Sequence, residues 1–307
     1  MRVLAIGEIL WDVFGADERL GGAPLNVVVH AARLGHETAI VSGLGADSRG
    51  ERARAAVLAA GVSDRFIRTI PDAPTGTAHV RLDDGGTPTY DIPRPAAYDL
   101  VGLDSADLAA LAAAAADWRP DWIVSGTLAQ GGPAVHDLTA SILASCPTAM
   151  TLCDINLRDG AYTPALVLAC MERADVVKLS HDEAAVVAGL LGLASDPLEP
   201  FARALAERAG ARGVCITSGA HGAALLLDGT WATASAVPVE VVDTVGAGDS
   251  FSAALIHGIH ASESPPDVLD RATRVAALVA ARPGATPPWT LAEAADLHPV
   301  RSDHAHQ

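Results

Sequence analysis

Residues 237–260 read VPVEVVDTVGAGDSFSAALIHGIH. The stretch opens on an apolar, strand-like run over 237–243 and passes through a turn with two glycines. Beyond the turn, Phe251, Ala254, Leu255, Gly258 and Ile259 recur at i, i+3, i+4, i+7 and i+8, the spacing of one helical face. A strand, a glycine turn and a helix in succession form the repeating unit of an α/β protein. The turn Gly246-Ala247-Gly248 then stands at a helix N-terminus, where backbone N–H groups lack partners and the helix dipole is positive, so the pattern predicts an anion site. Asp249 follows directly. In a first helical turn a carboxylate serves either as a cap that complements the dipole or as a general base beside a charge-stabilising turn, and this segment alone leaves both roles open.

Outward from this stretch the alternation continues. RVLAIG (2–7), a helical pattern over 23–35, TAIVSG (38–43) and SRGERARAAVLAAG (48–61) lead the chain, and DWIVSG (121–126), AMTLCDIN (149–156), ADVVKLS (174–180) and GVCITSG (213–219) extend it, each expected to be followed by a helix. Such alternation predicts a largely parallel sheet with helices on both faces. The Ala-rich LAALAAAAADW (108–118) fits a helix packed closely on that sheet. Residues 66–98 break the series with Thr, Val, Gly and Pro and a DDGG turn between two strand candidates, which predicts a small β appendage, either a lid or a plain edge hairpin.

The 307-residue chain is 50% hydrophobic with a net charge of -16, which sets a nucleic-acid partner aside for want of clustered cations. Glu8 and Asp12 interrupt the N-terminal apolar run before a signal or membrane segment is complete, so a cytoplasmic protein with no membrane partner is expected. Cys146, Cys153, Cys170 and Cys215 lack CxxC spacing and read as buried thiols. Lys178 is the single lysine and lies in no glycine loop, which excludes a P-loop. A dinucleotide GxGxxG fails because Phe251 stands where the third glycine belongs, and GLGADSRG (43–50) fails the same spacing. Near the N-terminus, GEILWDVF (7–14) and LGGAPLNVVVHAARLG (20–35) bring together Asp12, Gly22 and Asn26: a carboxylate, an accessible backbone and an amide. That set suits a polyhydroxylated ligand, although each residue alone is an ordinary loop or cap residue.

DTVGAGDSF (243–251) together with GGAPLNVVVHAARLG (21–35) resembles the paired signatures of the ribokinase-like (PfkB) sugar kinases, in matching order and separation across nearly the whole chain. GEILWDVF, CDINLR, TSGAHGA and RPGATPP further resemble the fructokinase-like branch. The resemblance implies one three-layer α/β sandwich domain with a largely parallel central sheet and a β lid from about 9–21 and 66–98. It implies transfer of the γ-phosphoryl group of ATP, with Mg2+, to a sugar hydroxyl. Asp249 would be the base, Gly246, Ala247 and Gly248 the anion hole, and Asp12, Gly22 and Asn26 the sugar site. Lys178, Ser180, Thr217, Gly219 and Gly222 would face the nucleotide. Glu183 would hold magnesium through water, with Ser180 standing where the family NxxE motif has asparagine, and Asp243, Val245 and Gly284 would form a monovalent-cation site for K+.

Fructose is the expected acceptor. A 2-keto-3-deoxygluconate kinase is the alternative, followed by a ribokinase or nucleoside kinase and by a non-catalytic ATP- or sugar-binding protein. Arg158 decides between the first two only in part, since it suits either sugar hydroxyls or the carboxylate of a sugar acid. Arg94 in the lid has the same two uses, or forms a plain salt bridge, and Trp11 either walls the pocket or joins the core. The family resemblance also implies a homodimer formed through the lids; alternate apolar residues such as Ile67, Val80 and Leu82 would supply its buried face or, in a monomer, pack against the large domain. The terminal RSDHAHQ (301–307) is expected to be a disordered tail.

Overall fold

The computed structural model describes residues 1–82, 88–158 and 160–297. The chain starts with β1 (Arg2–Ile6), detours through the hairpin β2 (Leu10–Phe14) and β3 (Asp17–Gly21), and returns by α1 (Ala23–Arg33) to β4 (Glu37–Gly45), α2 (Ser48–Ala59) and β5 (Ile67–Ile70). After β6 (Gly76–Leu82) and β7 (Pro88–Asp91) come α3 (Ser105–Trp118), β8 (Trp122–Gly126), α4 (Thr127–Gln130), α5 (Pro133–Ser145), β9 (Met150–Asp154), α6 (Pro164–Met171), β10 (Val176–Ser180), α7 (His181–Leu191) and α8 (Leu198–Ala209). The series closes with β11 (Gly213–Thr217), β12 (Ala223–Leu227), β13 (Thr230–Ala234), α9 (Ala247–His260), α10 (Pro265–Ala280) and α11 (Leu291–Asp296).

The main sheet runs β13-β12-β11-β10-β9-β8-β1-β4-β5, parallel from β11 through to β5. Its central strands are apolar on both faces because both are covered. From β1, Val3 and Ala5 pack toward α1, α9 and α10, while Leu4 and Ile6 pack toward α3 and α5. A third group sets Val177 and Leu179 of β10 against Ala184, Val187 and Phe201 from α7 and α8. This is the expected three-layer sandwich. Side-chain caps start several helices: Asp47 accepts from Gly50 N, Asp104 from Ala106 N and Thr163 from Leu166 N. All four cysteines are buried and free, as their spacing implied. No helix among the described residues is long and apolar enough to cross a membrane.

Three elements differ from the sequence reading. β11 is followed by antiparallel β12 and β13, not by a helix, because the turn at 218–222, with Gly219 and Gly222 at positive φ of 51° and 95°, sends the chain back, and Asp228-Gly229 at 47° and 81° reverses it again. Residues 237–243 form no strand. The amides of Val242 and Asp243 bond the Ala280 carbonyl at the end of α10 and not a strand of the sheet. The small second sheet does not take in all of 66–98: it runs β3-β2-β6-β7, whereas β5 pairs with β4 in the main sheet and Ala97–Leu100 is a short 3-10 turn packed into the core. Ile67 is therefore a main-sheet core residue. The DDGG turn and the terminal RSDHAHQ fall outside the described residues, as do the side chains of Val80 and Leu82.

Candidate active site

The parallel strands end on one side of the sheet, and residues at the ends of β1, β9 and β10 meet the N-termini of α1 and α9 there. Gly22 opens α1 at φ 115°, and a Cβ on it would lie 2.3 Å from the Glu8 carbonyl oxygen, so only glycine lets α1 start against the end of β1. One turn into α1, Asn26 donates from Nδ2 to Asp249 Oδ2 at 2.8 Å. Its Oδ1 is buried with no protein partner and so remains available to accept from a ligand hydroxyl. Gly246 opens α9 at φ 79°, and a Cβ there would lie 2.0 Å from the Ala285 carbonyl oxygen. The turn therefore needs glycine for two independent reasons. The Ala247 amide donates to the Thr244 carbonyl at 3.3 Å, while those of Gly246 and Gly248 have no protein partner among the described residues. Of the three amides singled out from the sequence, those two are the ones left free to meet an anion.

Carboxylates dominate the site. Burial first, and Asp154 second, push the Asp249 carboxyl up to about 6, against the pull of Asn26, Lys178 and Arg158. Asp12 on β2 is also pushed to about 6 by burial, opposed by Arg158 and Arg19. Behind them Glu8 is 4% exposed and raised by burial to about 7. A carboxyl poised near 6 has the basicity that proton abstraction at neutral pH requires.

Under the anion turn lies a buried ion pair. Lys178 Nζ donates to Asp154 Oδ2 and Oδ1 at 2.9 and 3.1 Å, and Ser252 Oγ donates to Asp154 Oδ2 at 2.7 Å. Burial alone would lower the lysine pKa, yet Asp154, with Asp249 and Glu183 behind it, holds it above the ordinary value. A Cβ on Gly248 would stand 3.3 Å from Nζ, which places the ammonium directly below the turn.

Ser180 and Glu183 form a reciprocal cap on α7: Glu183 N donates to Ser180 Oγ at 3.2 Å and Ser180 N to Glu183 Oε2 at 2.7 Å. Glu183 Oε1 accepts from Leu157 N at 2.7 Å, so one carboxylate ties the loop after β9 to the end of β10. Each of its oxygens still has a lone pair for a water. No group of three or more acidic, histidine or cysteine side chains that could hold a metal occurs among the described residues. A magnesium ion would therefore bind mainly through substrate phosphates and waters, the mode this hard cation favours. Asp243 brings its two companions together, accepting from Val245 N and Gly284 N at 3.0 Å each. Thr217 lies beside Ser180 in the sheet register. Gly219 and Gly222 shape the turn after β11, and a Cβ on Gly222 would lie 2.0 Å from the Ala234 carbonyl oxygen.

Arg158 stands where it lowers the pKa values of Glu8, Asp12 and Asp249 together. Arg94 is a salt-bridge residue. It pairs with both oxygens of Asp99 and donates to the Leu128 carbonyl at 2.9 Å. The two arginines line an open cleft of about 1110 Å³ with Ile92, Leu157 and Tyr162. Trp11 joins the core: its Nε1 donates to the Arg49 carbonyl at 3.1 Å and Arg52 covers its ring.

Sequence reasoning passed over Asp154, Ser252, Glu8 and His30. Asp154 had a signal, being an acid at the end of the strand-like run AMTLCDIN (149–156). His30 had none, because its partners are remote. Trp289 Nε1 donates to His30 Nδ1 at 3.0 Å, which leaves Nε2–H to donate to the Ala285 carbonyl at 3.0 Å, the same oxygen that abuts Gly246.

This chain belongs to the pfkB family of carbohydrate kinases, whose family model matches residues 7–291. It is 30% identical over 280 residues to a fructokinase of Salmonella typhimurium, covering 87% of each chain. Its fold resembles that of a fructokinase of Xylella fastidiosa solved with bound ATP, at TM-score 0.82 and 24% identity over 96% of this chain and 97% of that one. A 2-dehydro-3-deoxygluconokinase of Thermotoga maritima is similar at TM-score 0.83 and 20% identity, over 97% of this chain and 99% of the other.

Proposed function

We propose that this carbohydrate kinase is a fructokinase, transferring the γ-phosphoryl group of ATP to fructose to give fructose 6-phosphate. The observation that carries the choice of a neutral sugar is the charge of the pocket. Glu8, Asp12 and Asp249 all feel the guanidinium of Arg158, Arg19 acts on Asp12 as well, and Arg94 is already neutralised by Asp99, so acids still outnumber cations there. A sugar acid would bring a further carboxylate into this field, whereas a neutral polyol brings hydroxyl donors for acceptors such as Asn26 Oδ1. The likeness to the Salmonella fructokinase supports the same reading.

In this reading Asp12, Asn26 and Arg158 orient the sugar, and Asp249 takes the proton of the attacking hydroxyl. The sugar oxygen bonds to the γ-phosphorus as the bond from that phosphorus to its bridging oxygen breaks, releasing ADP. The Gly246 and Gly248 amides, with the Lys178 ammonium beneath, stabilise the charge that develops on the transferring group. Magnesium, when bound, would supply charge neutralisation on the phosphates; Glu183 would hold it through water, and Thr217, Ser180, Gly219 and Gly222 would border the nucleotide. A monovalent cation beside Asp243, Val245 and Gly284 would steady the turn. Ser180 is no sign of lost activity, since serine and asparagine cap helices about equally well. A sugar-acid kinase remains the second reading because Arg158 is a guanidinium facing the cleft.

The test is ADP release with ATP and Mg2+ on fructose, 2-keto-3-deoxygluconate, ribose, adenosine and no acceptor. Turnover on fructose well above the rest is expected. Preference for the sugar acid would assign Arg158 to a carboxylate and overturn the fructose reading.

A further inference from the structure

We infer that His30 is a positioning residue for phosphoryl transfer: through the loop over 284–286 it fixes the anion turn relative to Asp249. The inference rests on the reading of the 246–248 turn as the anion hole. α1 carries Asn26, His30 and Arg33 at i, i+4 and i+7, on one face of the helix. Asn26 Nδ2 donates to Asp249 Oδ2 at 2.8 Å, His30 Nε2 to the Ala285 carbonyl at 3.0 Å and Arg33 Nη2 to the Thr286 carbonyl at 2.6 Å. One helix face therefore holds the carboxylate that follows the turn and two successive carbonyls of the loop beside it.

That loop meets the turn by direct contact. Gly284 N donates to Asp243 Oδ2 at 3.0 Å, just before the turn. Ala285 backs onto the turn itself: a Cβ on Gly246 would lie 2.0 Å from the Ala285 carbonyl oxygen and 2.6 Å from its carbonyl carbon and Cα. The turn cannot shift toward Ala285 without displacing a carbonyl that is bonded to His30. The imidazole is 0% exposed and fixed from the other side as well. Trp289 Nε1 donates to Nδ1 at 3.0 Å, its ring stacks at 6.0 Å between centroids, and Arg33 Nη1 lies 3.4 Å from the same nitrogen. With Nδ1 an acceptor, the proton sits on Nε2, where the Ala285 carbonyl receives it. Burial holds the imidazole down to about 4, so the ring stays neutral and keeps this pattern at the pH of catalysis. Backbone donors stabilise developing charge only where they are aimed in advance, so slack in the turn is lost from kcat more than from ground-state binding.

The experiment measures kcat and both KM values for fructose, or for whichever acceptor the panel selects, in wild type, His30→Leu and His30→Gln. The folded fraction of each is counted by ATP-binding stoichiometry in calorimetry, well below its melt. His30→Leu should lower kcat per folded site about tenfold with KM for sugar and for ATP within about twofold of wild type, the split expected when transition-state donors slacken. Glutamine presents an acceptor oxygen and an N–H at a separation similar to that of the imidazole nitrogens, so His30→Gln should recover most of kcat. A purely structural His30 would lower the folded fraction and leave kcat per folded site unchanged in His30→Leu, which would overturn the inference, as would a glutamine variant no better than leucine. If His30→Leu does not fold, Arg33→Met decides, because it removes the Thr286 anchor from a half-buried position. Lowered kcat at unchanged KM then supports the inference, and wild-type kcat overturns it. The anion-hole reading fails by a separate result, full turnover in Gly246→Ala, and the His30 inference falls with it.

Discussion

Lys178→Met removes one ammonium and keeps most of the side chain's length. In the folded protein that ammonium lies 2.9 and 3.1 Å from the two oxygens of Asp154, and the residues are 6% and 5% exposed. Without it, Asp154 retains only the Ser252 hydroxyl at 2.7 Å. Breaking a buried pair from one side strands the other charge and costs about 3–5 kcal/mol. For a domain of this size that lowers Tm by roughly 5–15 °C. Because the Lys178 pKa is raised, its contribution is complete below the unfolded value of 10.5 and fades only as pH climbs through the higher folded value. A melt at pH 7.5 therefore captures all of it. The same substitution acts on catalysis, since Asp154 raises the Asp249 pKa and Lys178 lowers it. The acid limb of kcat/KM should climb by about a unit from its starting point near 6. Lys178→Met/Asp154→Leu removes both charges and should restore most of the stability and return the limb toward wild type, a non-additive result. Thermal melts and pH profiles of the two variants are the assay. A single variant that melts with wild type and keeps its limb would refute the reasoning.

Other perturbations read other parts of the site. Gly246→Ala forces a Cβ into the Ala285 carbonyl at positive φ, and turnover should fall at least about tenfold, with a loss of about 3 kcal/mol in a denaturant melt. His30→Leu strands the Trp289 indole N–H and the Ala285 carbonyl, so a loss of about 2–4 kcal/mol should appear by urea unfolding. The Asp249 carboxyl is raised, so its penalty on folding is absent below pH 3.8 and grows as pH rises through about 6. Asp249→Asn should consequently be more stable than wild type at pH 8, by roughly 1–2 kcal/mol once water at the half-open site is allowed for, and equal to it near pH 3.5. Burial pushes the thiols of Cys170 and Cys215 up to about 11 and 12 and that of Cys153 well above its ordinary value. Ellman's reagent should find almost no reactive thiol in the native protein at pH 8 and all of them after denaturation.

The fold was legible where local pattern and tertiary context agree. Apolar runs such as 2–7 and 176–180 sit in the centre of a sheet covered on both faces, so their composition alone marks them. The run 237–243 misled because a β-like sequence does not decide its partner: the Val242 and Asp243 amides bond the Ala280 carbonyl, a remote contact that local sequence does not show. In the site, Asn26 and Asp249 were recognisable singly, yet their 2.8 Å hydrogen bond joins residues 223 positions apart. Ser180 and Glu183 carried a capping-box spacing that local sequence displays in full. The buttress from His30 and Trp289 to Ala285 left no such trace, since it joins residues more than 250 positions apart in sequence.

The central claim is that Asp249 is the base of a sugar kinase, and the most direct measurement is kcat for fructose in Asp249→Asn beside wild type, with ATP affinity measured by calorimetry. The account predicts a fall in kcat of about a hundredfold or more with ATP binding nearly unchanged. Near-normal turnover in the variant would contradict it.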